Sequence, residues 1–189
     1  MLKKLIILFS IVIPSCHQVE QESSTILQEE TSTEVPLVEQ SSLRETTLNR
    51  FFEAFHSCVN GKHYVWGGRS CSNGSDCSGA IAATWKRIGF PAVTNPSYLE
   101  RDPQFISCNG GPYKAGDHIL LGKSCSSPDH WVTLYEVNDH NHANSVNNKI
   151  LDQSTDCAPY CGLNRINMRG NLARRKVCQC ARHKSLINP

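Results

Sequence analysis

The sequence contains no apolar run long enough to cross a membrane as a permanent helix. Its longest apolar run, from Leu5 to Ile13, is broken by Ser10 and is well short of the ~20 residues that a bilayer requires. The chain also has no internal repeat, which excludes an array of repeated units. Its 189 residues allow one domain of ordinary size with additional segments.

The N-terminus is typical of an export signal. Lys3 and Lys4 precede the short apolar run, as in a signal peptide. The run ends in Ile13-Pro14-Ser15-Cys16, which resembles the lipobox of bacterial lipoproteins. We therefore interpret residues 1–16 as a lipoprotein signal ending at Cys16, the lipid anchor that would attach the chain to a membrane. The alternative is a soluble secreted protein that is cleaved nearby.

Residues 17–47 differ from the rest of the chain in composition. They contain seven Glu and one Arg, many Ser, Thr and Gln, and no sustained apolar periodicity. Such a segment buries too little apolar surface to offset its ordering entropy, so it is predicted to be a disordered acidic tether. A helical stalk is the weaker alternative because of Pro36 and the Ser and Thr content.

Residues 48–189 are predicted to form the domain. Sixteen Lys and Arg against ten Asp and Glu give this part a net charge of about +6. A positive charge favours contact with an anionic polymer such as cell wall. Nucleic acid is not expected as a partner, because an exported chain seldom meets it. Most basic residues are scattered and compatible with an ordinary solvated surface; the one cluster is Arg169, Arg174, Arg175 and Lys176.

The chain has ten cysteines, and the predicted export would place them in an oxidising compartment. With Cys16 set aside for lipid and Cys77 for chemistry, an even number remains, and up to four disulfides are expected. The pairing does not follow from spacing, although Cys178 and Cys180 are not expected to pair with each other. The eight candidates are Cys58, Cys71, Cys108, Cys125, Cys157, Cys161, Cys178 and Cys180.

Zinc is the alternative use of the C-terminal cysteines. Cys157 and Cys161, with Cys178, Cys180 and the nearby His183, have plausible ligand spacing. Export favours disulfides over zinc, so no metal and no cofactor are expected.

The pattern of apolar residues predicts helices first and then an antiparallel sheet. Helices are predicted over Leu48–Cys58 and about Cys77–Ile88, the second capped by Ser75 or Asp76 and ended by Gly89. This order of elements indicates the α+β class. A short helix is possible at Ser97–Asp102, and strands are predicted at Asp117–Leu121, His130–Val137, Lys149–Gln153 and about Arg175–Cys180.

Three residues have the types and order of a nucleophile, a base and an orienting residue. Cys77 is placed where a glycine-rich loop meets a helix N-terminus, and the helix dipole favours a thiolate there. His130 opens a strand, and Asp152 follows on the next one. Gln153 and Asp156 are rivals of Asp152 for the third position.

Four motifs in order over roughly residues 50–155 carry a family resemblance. They are Tyr64-x-Trp66-Gly67-Gly68, Asp76-Cys77-Ser78-Gly79, Gly116-Asp117-His118-Ile119-Leu120 and His130-Trp131-Val132-Thr133-Leu134-Tyr135. Together they resemble the NlpC-type cell-wall cysteine peptidases of the papain-like superfamily. The resemblance implies a papain-like α+β fold and cleavage of the peptide stems of peptidoglycan.

The resemblance also implies roles for residues around the nucleophile. The backbone N–H of Cys77 would hold the oxyanion, with Tyr64 and Ser78 as oxyanion or substrate contacts. Trp66 would also be a substrate contact; for both Tyr64 and Trp66 the alternative is a core aromatic. The family commonly has a second histidine where this chain has Asp152, and it prefers a smaller residue than Val132. The cysteine-rich loops at 108–125 and beyond 155 are outside the common pattern.

The sequence therefore predicts an exported, lipid-anchored cysteine endopeptidase of the bacterial cell envelope. It would face the periplasm from the outer membrane, act on peptidoglycan as a monomer, and use no cofactor. The alternatives are an amidase like the CHAP relatives, and a catalytically inert, disulfide-stapled lipoprotein that binds the cell wall.

Overall fold

The computed structural model describes residues 37–154, 164–168 and 172–187. The predicted signal segment with Cys16, the tether up to residue 36, and Cys157, Asp156 and Cys161 lie outside the described residues. Within the described part of the chain, no helix has the length and apolar character needed to span a bilayer.

The described chain contains two α-helices, two 3₁₀ helices and eight strands. The α-helices are α1 (Leu37–Val59) and α2 (Cys77–Arg87), and the 3₁₀ helices cover Pro96–Arg101 and Lys184–Leu186. The strands are β1 (Arg69–Ser70), β2 (Gly74–Ser75), β3 (Phe105–Ser107), β4 (His118–Gly122), β5 (His130–Glu136), β6 (Lys149–Leu151), β7 (Asn164–Asn167) and β8 (Lys176–His183).

The helices agree with the sequence analysis except at the start of α1. Helix α2 begins at Cys77 as predicted, and Gly89 follows its end with a φ of +104°. Helix α1 begins at Leu37 rather than Leu48. Residues 37–47, which we assigned to the disordered tether, are therefore helical, and the weaker stalk alternative holds for this part.

The main sheet has six strands in the order β3-β8-β4-β5-β6-β7, and every neighbouring pair is antiparallel. This confirms the predicted α+β class with helices preceding an antiparallel sheet. A separate two-stranded hairpin, β1-β2, directly precedes α2. The sequence analysis missed β3, β7 and this hairpin, because two to four residues are too short to show a period.

Successive residues along the central strands belong to two different cores, one on each face of the sheet. Leu120, Trp131 and Leu151 belong to the core that also contains the apolar residues of both α-helices. Ile119 and Val132 belong to the core on the opposite face. Both faces are therefore covered, which agrees with the nearly continuous apolar runs of the central strands.

The C-terminal strand is held in the centre of the sheet by a buried ion pair. The Arg182 guanidinium donates to both oxygens of Asp117, at 2.6 and 2.8 Å, and Asp117 is fully buried. The two-point contact raises the pKa of Arg182, against the opposing effect of burial. Removing one partner would leave the other charge buried and unpaired.

Six of the eight candidate cysteines form three disulfides. The pairs are Cys58–Cys71, Cys108–Cys180 and Cys125–Cys178. Cys178 and Cys180 pair with different partners, as expected. The zinc alternative is excluded for these two cysteines, because their sulfurs are already bonded.

We predict that the disulfides differ in their contribution to stability. Cys108–Cys180 closes a sequence separation of 72 residues and Cys58–Cys71 one of 13. Chain entropy then assigns about 4 kcal/mol to the first and about 3 kcal/mol to the second. Urea unfolding of the two double Cys→Ser variants should show the larger loss for Cys108 and Cys180. Equal losses, or the reverse order, would contradict the assigned pairing.

Candidate active site

The first turn of α2 is built around the carboxylate of Asp76. Asp76 is the N-cap residue, and its Oδ1 accepts from the backbone N–H of Gly79 at 2.6 Å. The same oxygen accepts from the Ser78 hydroxyl at 2.9 Å. Of the two predicted cap residues, Asp76 is therefore the one that caps the helix. The hydroxyl of Ser78, a predicted oxyanion or substrate contact, is engaged in the cap.

The other carboxylate oxygen of Asp76 connects the Gly67-Gly68 turn to the start of α2 by a hydrogen bond. Oδ2 accepts from the Gly67 N–H at 3.0 Å, and the Asp76 N–H donates to the Gly68 carbonyl at 3.1 Å. A Cβ atom on Gly79 would collide with the Gly68 carbonyl oxygen. Gly68 and Gly79 are thus required by close backbone approach, and Gly67 by its positive φ of 70°. This approach positions the start of α2 against the turn.

Cys77 is the first residue of α2 and is buried. Among the cysteines that the structure describes, it alone is not in a disulfide. Because it is the first helical residue, its backbone N–H has no partner within the helix. A free thiol and a free backbone donor therefore lie together at the positive end of the helix dipole.

His130 and Asp152 meet at one end of the strand pair β5-β6. His130 is the first residue of β5, and Asp152 directly follows the last residue of β6. Their side chains are joined by a hydrogen bond of 2.7 Å between Nε2 and Oδ1, and both residues are less than one-tenth exposed. The antiparallel pairing of β5 with β6 makes this contact possible.

Cys77 is close enough to the His130 imidazole to contribute to its raised pKa. Because Asp152 occupies Nε2, Nδ1 is the ring nitrogen left for the sulfur. Burial alone would lower the pKa of His130, but the hydrogen bond to Asp152 and the charges of Asp152 and Cys77 outweigh it and raise the pKa to about 10. The imidazole is therefore cationic at neutral pH. Of the three residues that the sequence analysis selected, the structure joins His130 to Asp152 by a hydrogen bond, and Cys77 is close enough to affect the pKa of the ring.

The two rivals of Asp152 have different outcomes. Gln153 is buried, but neither atom of its amide has a hydrogen-bond partner. Asp156 lies outside the described residues. Among the described residues, Asp152 is the carboxylate that contacts His130.

Tyr64 bridges to Ser75 in the hairpin that precedes α2. Its side chain is close enough to Cys77 for the two groups to interact electrostatically. Burial and the neighbouring charges of Cys77 and Asp76 raise the pKa of Tyr64, so the phenol stays protonated and can donate. The adjacent Trp66 is 86% exposed, which excludes its interpretation as a core aromatic.

A buried polar network anchors the C-terminal half of α2 to the sheet. Trp85 Nε1 donates to His118 Nε2 at 2.9 Å, and His118 Nδ1 lies 2.8 Å from the Thr133 hydroxyl. Burial, with a smaller effect of the nearby His183, lowers the pKa of His118 to about 3, so it is neutral. His183 stacks on Trp85 with ring centroids 3.9 Å apart. Sequence reasoning gave these histidines no specific contact, because they are 65 residues apart in the chain and meet only in the fold.

Only one set of side chains in the described part of the chain has the residue types and spacing of a metal site. It consists of Cys108, Asp117 and Cys180. The two sulfurs are bonded to each other, and the carboxylate is paired with Arg182. These residues therefore do not fit a metal ion.

We predict that the His130 imidazole remains protonated well above neutral pH. Asp152→Asn removes the negative charge at Nε2 and should move the His130 titration midpoint down towards the ordinary value of about 6.5. NMR titration of the ring protons or nitrogens checks both proteins. A midpoint near 6.5 in the parent protein would contradict the assigned geometry.

The raised pKa also has a consequence for stability. Because the folded-state value exceeds the unfolded value, the stabilisation from His130 is complete below pH 6.5 and is lost as the pH rises towards 10. The free energy of unfolding of the parent protein, minus that of His130→Ala, should therefore fall across this interval. A flat difference would contradict the assignment.

Residues 61–165, more than half of the chain, match the model of the NlpC/P60 family. No curated protein gave a significant match.

Two solved structures illustrate the likeness. One, from Staphylococcus aureus subsp. aureus Mu50, is described as similar to lipoprotein, NLP/P60 family; it is 18% identical, with a TM-score of 0.49, over 74% of this chain and 42% of that one. The other is the NlpC/p60 domain of the peptidoglycan hydrolase SagA, 23% identical with a TM-score of 0.37, over 60% of this chain and 93% of that one. The family-model match covers all four motifs described above, and it establishes that the chain belongs to the NlpC/P60 family.

Proposed function

We propose that this protein is a cysteine endopeptidase that hydrolyses amide bonds in the peptide stems of peptidoglycan. The family to which the chain belongs supports the substrate, since its members cleave these stems. The observation that carries the proposal is the 2.7 Å hydrogen bond of His130 to Asp152, together with the free thiol of Cys77, which helps to raise the pKa of the same imidazole.

The proposed reaction begins with attack by the Cys77 sulfur on the amide carbonyl carbon. The cationic His130 then gives the proton on Nδ1 to the leaving amine, and an acyl-enzyme thioester remains. In the second half, the now neutral His130 takes a proton from water as the water attacks the thioester. The carboxylic acid product departs, and the thiolate–imidazolium pair is restored.

Asp152 acts by orienting the imidazole. Its hydrogen bond to Nε2 directs Nδ1 towards the sulfur and stabilises the positive charge on the ring. A carboxylate can orient the imidazole in place of the second histidine that is common in the family. The departure of this chain from the family pattern is therefore compatible with activity.

The oxyanion of the tetrahedral intermediate would be held by two donors. One is the backbone N–H of Cys77 at the start of α2, and the other is the protonated hydroxyl of Tyr64, whose side chain lies close to that residue. Ser78 contributes through the cap of the helix, to which its hydroxyl is bound. The exposed indole of Trp66 is available for substrate contact.

We further propose that the enzyme works from the bacterial cell envelope as a lipoprotein. The support is the signal-like N-terminus ending at Cys16, together with a domain that carries three disulfides. The outer membrane facing the periplasm, and a monomeric state, are part of the same proposal. Lipid attachment to Cys16 can be read from the mass of the mature N-terminal peptide.

Two other functions remain alternatives. A CHAP-like amidase would use the same thiol chemistry but cut the bond between sugar and peptide. An inert lipoprotein would bind the cell wall without cleaving it. The free sulfur close to a charged imidazole favours an enzyme over the inert protein.

The first prediction of this proposal concerns the nucleophile. Cys77→Ala should abolish release of muropeptides from purified sacculi, while the thermal unfolding midpoint stays close to that of the parent. Mass analysis of the fragments shows whether a peptide bond or the sugar–peptide bond is cut. Equal digestion by the variant would end the proposal, and products with unsubstituted sugars and intact stems would replace it by the amidase.

The second prediction ranks the two partners of the thiol. His130→Ala should lower kcat/KM more than Asp152→Ala, because the histidine transfers protons and the carboxylate orients it. We expect losses of about 10³-fold or more for His130→Ala and about 10- to 100-fold for Asp152→Ala. A larger loss for Asp152→Ala would contradict these roles.

A further inference from the structure

An open basic cleft lies against the C-terminal half of α2. It has a volume of about 680 Å³ and is lined by residues of α1, of the loop that follows it, of the β1-β2 hairpin and of α2. Its polar lining consists mainly of Lys62, Arg69, Ser70, Ser72, Lys86 and Arg87. Among the described residues that line it, none is acidic.

The four cations in this cleft form no ion pair with any carboxylate in the part of the chain that the structure describes. They are Lys62, Arg69, Lys86 and Arg87. Arg175, in contrast, forms such a pair with Asp129 at 2.6 Å. Like charges that share a cleft repel one another, and a bound anion relieves that cost.

The convergence of these cations is a product of the fold. Lys86 and Arg87 are in the last turn of α2, where the helix dipole by itself favours basic residues. The dipole does not account for Lys62 or for Arg69, which come from the loop and the hairpin. The Cys58–Cys71 disulfide ties that hairpin to the end of α1 and thereby fixes one wall of the cleft.

The donors point to a particular kind of anion. Two guanidinium groups, two ammonium groups and hydroxyls offer more donors than the two oxygens of one carboxylate can use. Guanidinium forks match the oxygens of phosphate, and lysine adds a point charge. We propose that this cleft is a binding site for a phosphate group, carried either by a soluble phosphate compound or by a phospholipid headgroup.

The cleft is distinct from the thiol site. Cys77 and Lys86 are nine positions apart on α2, and a rise of 1.5 Å per residue separates them by about 14 Å along the helix axis. Cys77 is not among the described residues that line the cleft, so phosphate binding and amide cleavage can be measured separately. The failure of either proposal would leave the other intact.

Binding of inorganic pyrophosphate, measured by calorimetry on the disulfide-bonded protein, tests the proposal. We expect saturable binding that weakens about tenfold or more in the triple variant Arg69→Gln, Lys86→Gln, Arg87→Gln. The matched control is Lys114→Gln, Lys123→Gln, Lys184→Gln, which removes the same charge from exposed positions elsewhere and should change Kd less than twofold. Equal weakening in both variants, or no saturable binding, would overturn the proposal.

Two additional measurements make the result independent of the variants and identify the source of the phosphate. Backbone amide shifts of the parent protein during pyrophosphate titration should be concentrated at residues 57–72 and 83–87; shifts spread over the surface would overturn the proposal. Cosedimentation with phosphatidylglycerol vesicles, but not phosphatidylcholine vesicles, that pyrophosphate competes away would identify a headgroup as ligand. Vesicle binding that pyrophosphate does not compete away, without saturable pyrophosphate binding, would also overturn it.

Discussion

The hydrogen bond between His130 and Asp152 is the contact on which the account of this site depends. It is 2.7 Å long and almost completely shielded from water, and it occupies one ring nitrogen so that the other is left for Cys77. Water exclusion strengthens the attraction between the imidazolium and its two acidic partners, and this is why the pKa of His130 rises although burial alone would lower it. The orientation of the base and its charge thus have the same origin.

This contact can operate only if the sheet and α2 are held in a fixed relation. At its N-terminus, α2 is attached to the glycine turn through both oxygens of Asp76. In its C-terminal half, it is attached to β4 and β5 through the buried hydrogen bonds of Trp85, His118 and Thr133. The Cys77 thiol therefore belongs to a helix that is fixed at both ends, which limits the movement of the sulfur relative to His130.

The sequence predicted the features that depend on local signals. The start of α2, its cap and its end followed from Asp76, the glycine loop and Gly89, and the central strands followed from their apolar runs. The proximity of Cys77, His130 and Asp152 agrees with the order of the motifs.

Features that arise from distant parts of the chain were not predictable in this way. The disulfide partners are up to 72 residues apart, and spacing does not encode them. The extension of α1 over residues 37–47 contradicted a composition that suggested disorder. The basic cleft is assembled from single cations of different elements, whereas the one basic cluster visible in the sequence includes Arg175, which is neutralised by Asp129 in the fold.

The most direct test of the central claim is the rate at which iodoacetamide modifies Cys77 in the folded, unreduced protein at pH 7, followed by peptide mapping. The account predicts that His130→Ala slows this modification at least about tenfold, because the imidazolium that stabilises the thiolate is lost. Equal rates in the parent protein and the variant would show that the histidine does not activate the sulfur, and would contradict the account.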